Sequence, residues 1–93
     1  MIDGQQQRKA LTAAEQALHA LEAGEGDKAI EAAARAAELD QVGLFAALPG
    51  VVAASVESAD GGKVTAAGWR AIAAALGPGP LAAFADERAT VAG

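Results

Sequence analysis

Apolar side chains recur at intervals of three and four residues in the first part of the chain, the spacing that places them on one face of a helix. This spacing predicts a helix from about Gln5 to Ala23, which Gly24-Glu25-Gly26 ends in a tight turn. The predicted inward face holds Ala10, Leu11, Ala14, Ala17, Leu18 and Leu21. The predicted solvent face holds Thr12, Glu15, Gln16, His19 and Glu22.

The same spacing returns after the glycine turn and predicts a second helix from about Asp27 to Asp40. Because the connection is so short, the two helices are expected to lie antiparallel. Most of the facing residues are alanines, whose small side chains allow two helix axes to approach closely. The apolar stripe of the second helix holds Ala29, Ile30, Ala33, Ala36, Ala37 and Leu39.

The residues of this hairpin resemble one unit of the tetratricopeptide-repeat (TPR) family, over residues 10–41. Ala17 stands at the small position of the family's first helix, and Gly24 stands at its turn. The motif of the second helix is matched by Ala29-Ile30 and by Ala36-Ala37-Glu38-Leu39-Asp40. The departures are Ala13, Ala20 and Ala33 in place of aromatic residues and Gln41 in place of the closing proline. Since such units bury their faces by stacking, a single unit implies packing on the rest of the chain or on another subunit.

A nearly continuous apolar segment follows the hairpin, from residue 42 to residue 56. Pro49 disfavours a helical conformation at Leu48, so we expect one short helix from Val42 to Leu48 and another from Pro49 to about Ser58. A segment that is apolar all round is normally covered on several sides. Its core and interface candidates are Val42, Leu44, Phe45, Leu48, Val51, Val52 and Val56.

Two further helices are predicted in the C-terminal third. Thr65 is a suitable N-cap for a helix that runs to Leu76, and a last helix is expected from near Pro80 to about Ala89. Its inward residues are Leu81, Phe84 and Ala85, and residues 90–93 are expected to fray. Trp69 lies at core spacing in the first of these helices, but tryptophan is also a common interface anchor, so both roles stay open.

The whole pattern predicts an all-α fold in a single domain of 93 residues. We expect a small helical bundle in which a TPR-like antiparallel hairpin, residues 5–40, is followed by a short-helix region, residues 42–90. Alanine supplies most of the apolar fraction and only 3% of the residues are aromatic. This composition favours helices over strands.

Charge and cysteine content narrow the classes of function. The formal net charge is −5, which argues against binding to nucleic acid or to an anionic membrane surface. The longest uncharged run is interrupted by Pro49 and Gly50, so no membrane span is expected. The chain contains no cysteine, and its first residues do not form a secretory signal. A cytoplasmic location is therefore the expectation.

The segment from Glu57 to Trp69 resembles an EF-hand calcium loop that has lost its ligands. Gly62 fits the invariant turn glycine and Val64 fits the hydrophobic position, whereas Gly68 replaces the closing glutamate. The two acidic residues that could still serve as metal ligands are Glu57 and Asp60. Too few oxygen ligands remain for tight binding, so a helix–loop–helix turn without an ion is the simpler interpretation.

Catalytic groups are scarce as well. A serine nucleophile needs a neighbouring base, yet the chain has one histidine and only Ser55 and Ser58 as serines. We therefore expect no catalytic residues, no bound cofactor and no enzymatic activity. His19 lies on the polar face of the first helix and is expected to be solvated.

The pattern favours a protein–protein interaction or assembly module, which includes association with further copies of the same chain, because the apolar residues exceed what so small a core hides. The interface candidates are Leu44, Phe45, Leu48, Val52, Trp69 and Phe84. A small-ligand or calcium-binding helical domain that uses the 57–69 turn is the alternative. A structural component of a larger particle is a third.

Overall fold

The computed structural model describes residues 4–92, which form five α-helices and no β-strand. The helices are α1 (Gly4–Glu22), α2 (Gly26–Leu39), α3 (Leu48–Glu57), α4 (Ala66–Leu76) and α5 (Pro80–Ala92). The predicted all-α class is thus confirmed. The body is elongated, with principal extents of 44 × 24 × 17 Å. Within residues 4–92, no helix combines the length and apolarity that a membrane crossing requires.

Helices α1 and α2 form the predicted antiparallel hairpin, with Gly24 at a positive φ of 80° in the turn. Alanines line the contact between them and are fully buried: Ala10, Ala14, Ala17, Ala29, Ala33 and Ala36. The prediction that Leu11 faces inward is wrong, since 44% of its surface is exposed. The buried face of α1 is centred near Ala10 and extends to Ala13, so Leu11 falls just outside its opposite edge.

The chain from residue 41 to residue 47 forms successive turns, so the short helix predicted from Val42 to Leu48 is wrong. Gly43 adopts a positive φ of 79°, which ends any helical path there. Helix α3 begins at Leu48, and Pro49 lies in its first turn, where a missing N–H is tolerated. Leu48 and Val52 are fully buried and join α3 to the core.

Helix α3 packs against both α2 and α4, so it joins the α1–α2 hairpin to the α4–α5 hairpin. Two glycines allow this approach. An ideal Cβ on Gly26 would lie 2.7 Å from Cγ1 of Val56, and one on Gly68 would lie 2.8 Å from Cγ1 of Val64. The same Cβ on Gly68 would lie 3.3 Å from Oγ of Ser55 on α3. Gly68, which stands at the closing place of the EF-hand pattern, is therefore needed for the packing of α4 on α3.

The C-terminal hairpin begins as predicted with Thr65 as the N-cap of α4, whose hydroxyl accepts a hydrogen bond of 3.2 Å from the Gly68 N–H. Gly77 ends this helix at a φ of 72°. Helix α5 begins at Pro80 as expected, but it continues to Ala92, so the expected fraying at residues 90–92 is wrong. Gly93 and residues 1–3 lie outside the described residues.

Candidate protein-binding surface and adjacent groove

The loop between α2 and α3 is held in place by one carboxylate. Oδ1 of Asp40 accepts hydrogen bonds from Nε2 of Gln7 at 3.1 Å and from the Val42 N–H at 3.2 Å. Oδ2 accepts a further bond from the Phe45 N–H. The Gln7 side chain also accepts a bond of 3.1 Å from the Gln41 N–H, so the loop is fastened to α1 as well as to itself.

These bonds change the acidity of Asp40. Partial burial raises its pKa, but hydrogen bonds from the Phe45 N–H, the Gln7 side chain and the loop N–H groups of Val42 and Gly43 outweigh that effect. The pKa of Asp40 therefore lies below its ordinary value. The carboxylate is charged at neutral pH and holds residues 40–45, the 40–45 loop, in one conformation.

The 40–45 loop presents two large aliphatic side chains to solvent. Val42 is 51% exposed and Leu44 is 57% exposed, while the neighbouring Phe45 is buried and anchors the loop to the core. We call the pair Val42 and Leu44 the apolar knob. Leu11 lies one helical turn after Gln7, the residue that bonds to this loop, so a third exposed apolar side chain belongs to the same end of the molecule.

The structure separates the six predicted interface residues into two groups. Phe45, Leu48, Val52 and Trp69 are buried within the single chain, and Phe84 is half-buried. Leu44 is exposed. The four buried residues therefore belong to the core of the single chain, and Leu44 is the most exposed member of the set. For Trp69, the structure places the side chain in the core.

Val42 is a core and interface candidate on a predicted helix, and the structure places it instead on an exposed loop. The available signal was the Asp40 to Phe45 spacing with Gly43 between them, because an aspartate readily bonds backbone N–H groups just ahead of it and a glycine allows the reversed φ. Val91, at 73% exposure, lies on the last turns of α5 rather than in a frayed tail.

A groove of about 530 Å³ opens between the end of α1, the segment before α4 and the C-terminal part of α5. We call it the α5 groove. It is lined by Leu21, Glu22, Asp60, Lys63, Val64, Thr65, Ala66, Trp69, Arg88, Val91 and Ala92. Leu21, Val64 and Trp69 form its apolar floor, and charged side chains stand at its rim. A volume of this size lies within the range of natural ligand pockets.

Arg88 ties one wall of the α5 groove to α1. Its Nη1 lies 2.9 Å from Oε1 of Glu22, and its Nη2 lies 3.5 Å from Oε1 of Glu87. The guanidinium carbon lies 5.3 Å from the centre of the Phe84 ring, a cation–π distance. Nε of Arg88 is buried and has no hydrogen-bond partner among the described atoms.

Phe84 is the centre of an aromatic contact between three helices. Its ring centre lies 6.2 Å from that of Trp69 in an edge-on arrangement and 5.4 Å from that of His19. His19 is exposed on α1, as predicted, but it also packs on this ring. The side chains of His19 and Glu22 thus connect α1 to α5, and the α5 groove lies beside this connection.

The candidate metal ligands Glu57 and Asp60 are both exposed. Within the part of the chain that the structure describes, no three histidine, aspartate or glutamate side chains gather as a metal site would require. Asp60 instead pairs with Lys63 through backbone hydrogen bonds of 2.9 and 3.0 Å. Gly61 and Gly62, with φ values of 60° and 82°, form the tight turn between them.

The two serines use their hydroxyls within the fold. Ser55 is buried and donates to the Val51 carbonyl at 2.9 Å, with the Gly68 carbonyl at 3.5 Å. Ser58 donates to the Ala54 carbonyl at 2.9 Å. Both hydroxyls are therefore engaged in hydrogen bonds to the backbone.

No family model, no curated protein and no solved structure matches this chain.

Proposed function

We propose that this protein is a non-enzymatic protein-binding or assembly module that contacts its partner through the apolar knob. The observation that carries the proposal is the exposure of Val42 and Leu44, each by more than half, on a loop whose backbone Asp40 holds in one conformation. Covering such side chains is favourable by roughly 25 cal/mol for each Å² of apolar surface removed from water.

The fixed conformation of the 40–45 loop adds to this argument. A flexible loop loses conformational freedom when it binds, and that loss subtracts from the affinity. Here the Asp40 carboxylate and the buried Phe45 have already ordered the backbone before any partner arrives. The knob is therefore preorganised, as the anchor residues of strong interfaces commonly are.

Other features support a role in binding. The serine hydroxyls bond to backbone carbonyls, an arrangement that favours a structural over a nucleophilic role. The antiparallel α1–α2 hairpin resembles a TPR unit, and we include in the proposal that it is TPR-like. A protein partner and a cytoplasmic location also belong to the proposal, and a nucleic-acid partner does not.

The test is affinity capture from a lysate of the source organism, with the wild-type protein and Leu44→Glu compared side by side. We expect a partner that the wild type retains and that Leu44→Glu loses, because a charge on the knob must be desolvated on binding. Ala34→Glu is the matched control, since it places the same charge on an exposed position of α2. Retention of every captured protein by Leu44→Glu contradicts the proposal.

A second candidate function is favoured by the α5 groove. The turn at residues 57–69 supplies six of its lining residues, including Trp69 in the floor, so a small ligand or an ion bound there would act through this turn. Titration of Trp69 fluorescence with calcium and with a panel of small metabolites tests this function. Unchanged fluorescence and an unchanged melting temperature with all of them contradict it.

A further inference from the structure

We draw no further inference here: the strongest candidate, the apolar knob of Val42 and Leu44 on the loop between α2 and α3, is an exposed surface patch, and nothing in the structure shows what covers it.

Discussion

The 40–45 loop and the Asp60–Lys63 turn lie at the two ends of α3, and each contains an aspartate, yet only one of them uses its carboxylate. Asp40 binds three donors through its side chain, from two different segments of the chain. Asp60 pairs with Lys63 through the backbone, and two glycines form the turn. The first loop thus depends on a charged side chain and the second on backbone conformation.

The two loops also differ in the side chains that they expose to solvent. The carboxylate of Asp40 replaces the backbone partners that a helix would have provided, so the apolar segment leaves the helical path and exposes Val42 and Leu44. The glycine turn is compact and polar, and it exposes no large apolar side chain. The exposed apolar side chains therefore lie on the loop that a charged side chain holds, and the loop built by glycines has none.

The largest expected effect comes from the buried residue that anchors each loop. Phe45→Ala removes an aromatic side chain from the core and is expected to lower the free energy of unfolding by about 3–5 kcal/mol. Val64→Ala removes two carbon atoms beside the glycine turn and is expected to cost about 1–2 kcal/mol. Urea denaturation followed by circular dichroism measures both. Equal losses would show that the two loops do not differ in how they are anchored.

The next largest loss of stability is expected at Asp40, and a much smaller one at Asp60. Asp40→Asn replaces one acceptor oxygen with an amide NH2, so at least one of the three hydrogen bonds is lost and the others lose the charge that strengthens them. We expect a loss of about 1–3 kcal/mol in the free energy of unfolding. Asp60→Asn is the control and is expected to cost less than about 0.5 kcal/mol, since no side-chain bond of Asp60 joins the fold. A larger loss for Asp60→Asn than for Asp40→Asn would reverse the comparison.

Acid should remove the stabilisation that Asp40 provides. Its pKa in the folded protein is lowered, so its contribution is present above the unfolded pKa of about 3.9 and is lost as the pH falls through the lower folded pKa. We therefore expect wild type and Asp40→Asn to differ by a constant free energy of unfolding near neutral pH and to converge below about pH 4. Urea denaturation across this pH range measures the difference. A gap that persists at low pH would contradict a charged Asp40.

The smallest effects concern the glycines of the two loops. Gly43→Ala and Gly62→Ala each force a side chain into the left-handed region, at φ values of 79° and 82°, and are expected to cost about 1 kcal/mol. Gly61→Asn is expected to be nearly neutral, because asparagine accepts this conformation in tight two-residue turns. Thermal melting of the three variants ranks them. A cost for Gly61→Asn that matches Gly62→Ala would contradict the assigned turn.

Much of the helical framework was predictable from residues that act locally. The apolar spacing in residues 10–40 predicted the α1–α2 hairpin, and Thr65 and Pro80 predicted the beginnings of α4 and α5 within one residue. Caps, prolines and glycines act over a single turn, so their effect does not depend on the rest of the fold. The exposure of individual side chains was harder to predict because it depends on which other elements cover them.

The amino-acid sequence by itself determined the all-α class, the glycine turn after α1 and the alanine-lined contact between the first two helices. Only the tertiary structure decided that Asp40 would also fasten the 40–45 loop to α1, because its donor there, Gln7, is 33 positions away in the chain. It also decided that Trp69 is buried and Val91 exposed, since both outcomes depend on where α1 and α3 lie relative to the last two helices. Local spacing limits the conformations of a segment, whereas burial and long-range bonds arise only when the segments pack together.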